Sequence, residues 1–328
     1  MIYTDALIEA IRQRLEESLA NWRLPPGSSV KPLTVSENIT YLAQSADNSQ
    51  RLILRLHRPN YHQPGEIESE LAWIEALRAS NAVDTPAIVE GEAGRVCSVQ
   101  VDGQSYAVVG FDFVPGREPN VGEDLPRWFE QLGAVTATLH QHSRQWPRPE
   151  GFVRKEWNLH TMLSADAHWG DWRSAEGLDG ESEGLIATAI DKIAERITAY
   201  GDGAERFGLV HADLRLANLL VEGERLSVID FDDCGISWFA YDFAAAISFY
   251  ELDPSIPELQ QAWVKGYRSK ADFSAEDETM LSTFIMIRRI MLTAWLAQHS
   301  ESGTYAEFGE GYTAGTATLA RRYLEGEL

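Results

Sequence analysis

A chain of 328 residues with 44% hydrophobic and 24% charged residues holds too much apolar side chain for disorder and enough to build two modest domains. Fifty acidic residues against 28 basic ones give a net charge of −22, which repels phosphate backbones and argues against nucleic-acid partners. Residues 1–60 hold seven Lys/Arg against six Asp/Glu, a net of +1; the acid-rich remainder suits a cationic substrate or simply a solvated surface.

The first 20 residues place Leu7, Ile8, Ile11, Leu15 and Leu19 on one face, so a helix is expected over 5–20. The segment lacks the basic start and apolar core of a secretion signal. Short stretches rich in Val, Ile, Leu and Tyr follow near 30–35, 39–44, 51–58, 95–101 and 105–114. Turn residues at 47–50, 92–95 and Asp102-Gly103 separate several of them, as strands require. Ile67, Leu71, Ile74 and Leu77 keep helical spacing, which predicts one helix over 65–80 among the strands. Pro115-Gly116 then closes the strand-rich part. Helical patterns follow near 123–145, 182–200, 238–250, 256–270, 276–299 and 304–325, while 146–180, rich in Trp, Pro, Gly and charge, has no readable period. The pattern predicts an α+β protein: an N-terminal lobe over 1–114 with a small antiparallel sheet and one helix, and a larger, mainly helical lobe over 115–328. No apolar run is expected to span a membrane, because Arg288 and Arg289 split the most apolar segment. Two cysteines, Cys97 and Cys234, are too few for a disulfide framework. A cytoplasmic protein without membrane partners is the expectation.

One stretch departs from the helical background: GLVHADLRLANLLVEGERLSVIDFDDCG, residues 208–235. His211-Ala212-Asp213 is followed five positions after Asp213 by Asn218, then by two apolar strands, 219–221 and 226–229, joined by EGER and ending at Asp230. Phosphoryl transfer needs such a set: one carboxylate to orient the acceptor and take its proton, and further hard oxygens to hold magnesium against the nucleotide phosphates. A hairpin returning Asp230 beside Asp213 and Asn218 supplies all three. His211 is read as a brace for the loop, not a proton carrier.

The order H-x-D-x-x-x-x-N, hairpin, I-D-F-D resembles the catalytic loop and metal-binding Asp of the protein-kinase-like superfamily. The closer resemblance is to the aminoglycoside phosphotransferase and choline kinase family, in its homoserine kinase type II and bacterial stress-response kinase branch. It is carried by SENITY (36–41), LILRLHRP (52–59), SELAWIEAL (69–77), FDFVPG (111–116), LGAVTATLH (132–140), HADLRLANLL (211–220), IDFDDCG (229–235), FAYDFAA (239–245) and RRIMLTAWLA (288–297). The resemblance implies a bilobal kinase-like fold using ATP and Mg2+. Asp213 is then the catalytic base, Asn218 and Asp230 the metal ligands, and Arg215 a group that steadies the transferred phosphate. Asp232 matches a second acid, and Asp242 a residue that braces the fold. Asn38 falls at the flap over the phosphates, and Phe111 to Val114 at the connector whose backbone meets adenine.

Two departures from the family pattern stand out. The flap carries no glycine, and Arg55 stands where a strand lysine normally grips the phosphates, with Glu70 as its expected partner and Glu66 and Glu68 in reserve; Lys31 is the only lysine before the connector. Arginine binds phosphate well but is larger and forked, so the exchange is not neutral. The expected reaction is transfer of the γ-phosphate to a hydroxyl of a small metabolite, with a homoserine-like acceptor favoured. A protein Ser/Thr acceptor and an aminoglycoside are the other acceptors the resemblance allows. A non-catalytic nucleotide-binding regulator is the rival reading, against which the retained Asp213, Asn218 and Asp230 argue.

Overall fold

A computed structural model describes residues 3–120 and 123–328; Met1 and Ile2, where the expected N-terminal lobe begins, and Val121 and Gly122 lie outside the described residues. The chain divides into two compact units, Met1–Gly116 with Pro147–Arg154, and Arg117–Trp146 with Lys155–Leu328.

In the first unit α1 (Asp5–Glu17) begins where Thr4 Oγ1 accepts the Leu7 N–H at 3.2 Å, answering one of the amide donors a helix start leaves unpaired. It stops short of the expected residue 20. Ser18 turns the chain into a single 3-10 turn, Leu19–Trp22, closed by Arg23 at φ 61°. Then come β1 (Ser29–Val35), β2 (Ile39–Gln44), β3 (Arg51–Leu56), α2 (Pro64–Ala79), β4 (Ile88–Val89), β5 (Val96–Val101) and β6 (Gln104–Asp112). The sheet runs β1-β2-β3-β6-β4, with β5 also on β6, and every pair is antiparallel. Asp102 (φ 50°) and Gly103 (φ 81°) form the two-residue turn between β5 and β6, the left-handed pair that such a hairpin demands. The two-residue β4 had no sequence signal. Side-chain alternation along β3 does the rest. Leu54 and Leu56 enter the core shared with Ile11 and Leu15 of α1, so Arg55 between them faces the other side of the sheet. Pro147–Arg154 joins this unit through α2: the Val153 N–H donates to Ser69 Oγ (2.9 Å) and Arg154 Nη1 to the Glu66 carbonyl (2.8 Å).

The second unit contains α3 (Leu125–Gln145), α4 (Leu159–Leu163), α5 (Gly180–Tyr200), β7 (Phe207–Val210), β8 (Leu219–Glu222), β9 (Arg225–Val228), β10 (Gly235–Trp238), α6 (Tyr241–Ala246), α7 (Ile256–Arg268), α8 (Ala275–Gln298), α9 (Gly303–Phe308) and α10 (Tyr312–Glu325). The small sheet and mostly helical remainder meet the α+β expectation. The β8–β9 hairpin is as expected, whereas the antiparallel β7–β10 pair that frames it was not anticipated. Two expected helices need correction. The one over 238–250 is only α6, because Phe249 adopts φ 74° and donates its N–H to Glu251 Oε1 at 3.0 Å. The one over 304–325 breaks into α9 and α10 at Gly309–Gly311, with Gly311 at φ 71°. The unreadable 146–180 stretch packs through rings: Trp157, Trp169 and Trp172 are all buried.

α3 and α7 cross so closely that a Cβ on Gly133 would strike the Trp263 carbonyl, and one on Gly266 the Glu130 carbonyl. α8 is buried on nearly every side from Met280 to Leu296. By length and composition it could cross a membrane, contrary to the expectation that no segment reached that length; here it is enclosed by protein as a core helix.

Candidate active site

The expected chemistry residues of the second unit gather around one loop. β7 delivers the chain to His211, and backbone strain follows at once, since Ala212 holds φ 65°. A non-glycine residue in this region costs free energy and persists only where its surroundings enforce it. Asp242, fully buried on α6, does the enforcing: Oδ1 accepts the Ala212 N–H at 2.7 Å and Oδ2 the His211 N–H at 3.2 Å. His140 on α3 donates from Nε2 to the same Oδ2 (3.0 Å) and accepts from the Tyr267 hydroxyl at Nδ1 (2.9 Å). Burial holds the His140 pKa below its ordinary value even against the pull of Asp242, which matches this neutral tautomer. Asp242 is the brace the sequence suggested.

His211 braces too. Its Nε2 donates to the Ile229 carbonyl (3.2 Å) and its Nδ1 accepts the Asp213 N–H (3.3 Å). The residue before Asp230 is thereby tied to the Asp213 loop. A second tie is the Ile229 N–H to the Asn218 carbonyl at 3.0 Å. Asp230 itself holds φ 61°, a second strained non-glycine position. The hairpin therefore returns Asp230 to the side of Asn218.

Asp213 is 14% exposed and both its oxygens are engaged. Oδ2 accepts from Asn218 Nδ2 (2.7 Å) and Arg215 Nε (3.2 Å), and Oδ1 from Arg288 Nη2 (2.5 Å). Burial works to raise the Asp213 pKa, but the guanidiniums of Arg215 and Arg288 outweigh it and hold the carboxyl below its ordinary value. Asn218 Nδ2 also donates to the Asp213 carbonyl at 2.8 Å. With both amide hydrogens committed, the side chain cannot flip, and Oδ1 is the atom it can offer a metal. A neutral amide oxygen and the Asp230 carboxylate make a hard donor set that fits magnesium. Arg215, a third exposed, carries no hydrogen bond on its two terminal nitrogens among the described residues.

Arg288 was missed as a site residue. The sequence offered a signal: an arginine inside an apolar, buried helix needs an acidic or strongly polar partner.

The expected nucleotide residues lie in the first unit. Arg55 Nη2 donates to both oxygens of Glu70, at 2.7 and 2.6 Å, with the side chains 5% and 0% exposed. The expected pair is therefore formed. Phe111 on β6 lies with its ring centre 5.3 Å from the Arg55 guanidinium carbon. Its backbone sits within the ladder opposite Ile53 and Ile88, whereas Val114 follows the strand end. Asn38 closes the three-residue turn between β1 and β2, and its Oδ1 accepts the Arg58 N–H at 3.1 Å. Its side-chain amide, not its oxygen, is what remains to offer a phosphate.

Residues 29–277 match the phosphotransferase enzyme family. A solved microcompartment-associated aminopropanol kinase is 42% identical, with 95% of this chain and 97% of that one covered and a TM-score of 0.87. An amicoumacin kinase solved with AMP-PNP, Ca2+ and Ami is 20% identical over 96% and 95% of the two chains, with a TM-score of 0.74. A homoserine kinase of Sinorhizobium medicae is 29% identical over 151 residues, 45% of this chain and 44% of its own.

Proposed function

The chain belongs to the phosphotransferase enzyme family, and on that premise we propose that it transfers the γ-phosphate of ATP to the hydroxyl of a short amino alcohol. It is a small-molecule kinase of that family. The observation that carries the finer reading is the 42% identity to an aminopropanol kinase over almost the whole of both chains. The homoserine kinase likeness covers under half of each chain, so a homoserine acceptor has less behind it.

Local charge supports the same choice. Glu118 is held above the ordinary carboxylate value, first by partial desolvation and then by Glu307, against the pull of Arg215. Desolvation, then Glu307 and Glu118, likewise raise the Tyr250 phenol. Glu118, which feels both Arg215 and Glu307, places acid charge near the arginine bonded to Asp213, which favours an acceptor that carries an ammonium and disfavours one that adds a carboxylate.

Asp213 is the group that orients the acceptor hydroxyl and takes its proton. Its neighbours keep it ionised and ready to accept, and a loose phosphoryl transition state asks for positioning more than basicity. Asn218 Oδ1 and the Asp230 carboxylate hold the divalent metal, which when bound offsets the charge of the nucleotide phosphates. The terminal nitrogens of Arg215 steady the moving phosphoryl group, and Arg55, fixed by Glu70, takes the place of the strand lysine toward ATP.

The test is phosphate transfer from ATP to a panel of 1-amino-2-propanol, ethanolamine, homoserine and 1,2-propanediol. The amino alcohols should exceed homoserine and the diol in kcat/KM by about tenfold or more, the worth of one charge-assisted contact. Equal rates across the panel would sink the amino-alcohol reading, and ATP binding without any transfer would favour a regulator. Asp213→Asn should abolish transfer while ATP affinity stays within a few-fold.

A further inference from the structure

α8 carries two adjacent arginines inside the core, Arg288 at 2% and Arg289 at 4% exposure. Neighbouring helical residues point about 100° apart, so the two enter different surroundings. Arg289 meets a buried acid of its own: Nη1 reaches Glu251 Oε2 (2.7 Å), Nε reaches Thr316 Oγ1 (2.9 Å), and Nη2 reaches the Tyr312 carbonyl (2.9 Å). None of those groups belongs to the proposed catalytic loop.

Arg288 is held at least as firmly, but on the loop. Its Nε donates to Ser248 Oγ (2.8 Å), and its Nη1 to the Tyr241 hydroxyl (3.0 Å) and the Ala212 carbonyl (3.2 Å). Its Nη2 donates to Asp213 Oδ1 at 2.5 Å. The Trp169 ring centre lies 4.8 Å from its guanidinium carbon. All three nitrogens are therefore used and an indole stands against the group, so the guanidinium has little freedom left. The other two donors to the Asp213 carboxylate, Arg215 and Asn218, sit two and five residues away on the same loop and move with it. Arg288 comes from a core helix 75 residues on, and it grips the strained Ala212 peptide as well as the carboxylate.

We propose that Arg288 is a positioning residue for phosphoryl transfer: it fixes the rotation of the Asp213 carboxylate against the α8 core without touching either substrate. The proposal rests on the reading of Asp213 as the acceptor-orienting group. A misplaced orienting group costs rate in the bound complex and leaves nucleotide binding largely alone. Ser248, Tyr241 and Trp169 then serve the reaction at one further remove, by holding Arg288.

The experiment compares Arg288→Lys and Arg288→Met with Arg289→Lys, which weakens an equally buried network on the same helix. Turnover is measured well below every variant's Tm, on the best hydroxyl acceptor of the wild-type enzyme. Both Arg288 variants should lose about ten- to a hundred-fold in kcat with KM for ATP within threefold, and Arg289→Lys should keep kcat within about threefold. Millimolar guanidinium should raise kcat in Arg288→Ala and leave Arg289→Ala unmoved. A crystal structure of Arg288→Met should show the Asp213 carboxylate rotated away from its wild-type angle. Retained kcat in the Arg288 variants, an equal loss in Arg289→Lys, or an unrotated Asp213 carboxylate each overturns the proposal. Absence of amino-alcohol transfer in the wild type overturns the acceptor reading alone, because the carboxylate rotation is read without any substrate.

Discussion

Removing Arg55 should do two separable things, and the Glu70 pair sets the size of each. The pair is buried, with Arg55 Nη2 on both carboxylate oxygens at 2.7 and 2.6 Å and side-chain exposures of 5% and 0%. Arg55→Leu leaves the Glu70 carboxylate buried without this partner, a loss of about 3–5 kcal/mol in stability. Glu70→Leu strands the guanidinium at a similar cost. The double variant buries no orphaned charge from the pair, so it should sit about 2–4 kcal/mol above the sum of the singles. Nucleotide binding follows a different rule. Losing a charge-assisted phosphate contact should cost about 1.5–3 kcal/mol, or roughly ten- to a hundred-fold in affinity, in Arg55→Leu and in the double variant alike. Arg55→Lys keeps a charge without the fork and should recover part of it. Urea unfolding of wild type and the four variants, with and without saturating Mg-ATP, separates the two effects. Stability losses that add within about 0.5 kcal/mol refute the pair. If Mg-ATP stabilises the double variant as much as wild type, Arg55 does not grip the nucleotide.

Three further outcomes test the scaffold. Gly266→Ala drives a Cβ into the Glu130 carbonyl, a backbone atom that cannot rotate aside, so it should destabilise by roughly 3 kcal/mol or more; a change under about 1 kcal/mol in chemical unfolding contradicts so close a crossing of α3 and α7. Asp242→Asn puts an NH2 group against at least one of three N–H donors, and should cost about 2–4 kcal/mol together with most of kcat; unchanged stability means the loop holds itself. His140 has a folded pKa depressed below its ordinary 6.5, so below that value the unfolded chain takes up a proton the native one refuses. Stability should therefore fall as pH drops from 7 toward 5, by up to about 1.4 kcal/mol per pH unit, and His140→Gln should flatten that slope; identical slopes assign the acid sensitivity elsewhere.

The proposed catalytic loop was legible because its parts are close in sequence: Asp213, Asn218 and Asp230 are joined by one short hairpin whose strands and turn announce themselves. The Arg55–Glu70 pair was legible for a different reason: the family resemblance, aligned on Arg58-Pro59, put Arg55 at the lysine position and Glu70 ahead of Glu66 and Glu68 as its partner. What escaped depends on distance. Arg288 reaches Asp213 across 75 residues, and β7 finds β10 across the whole hairpin they enclose. α6 was drawn too long because FAAAIS is buried all round and has no polar face to mark its end. Residues 146–180 resisted reading because their burial runs through Trp157, Trp169 and Trp172 at no regular spacing.

The eight residues Pro147–Arg154 give the first unit an unusual schedule on the ribosome. Its sheet and both its helices are complete in sequence by Gly116, yet the amide of Val153 that meets Ser69 Oγ and the guanidinium of Arg154 that meets the Glu66 carbonyl are synthesised only after the whole of α3. A nascent chain with residues to about 120 clear of the ribosome should thus expose that stretch of α2 to protease, and one with some 40 more residues clear should protect it. The two units are interleaved along the chain, so a cut at Gly116 would release a sheet still waiting for its last strap.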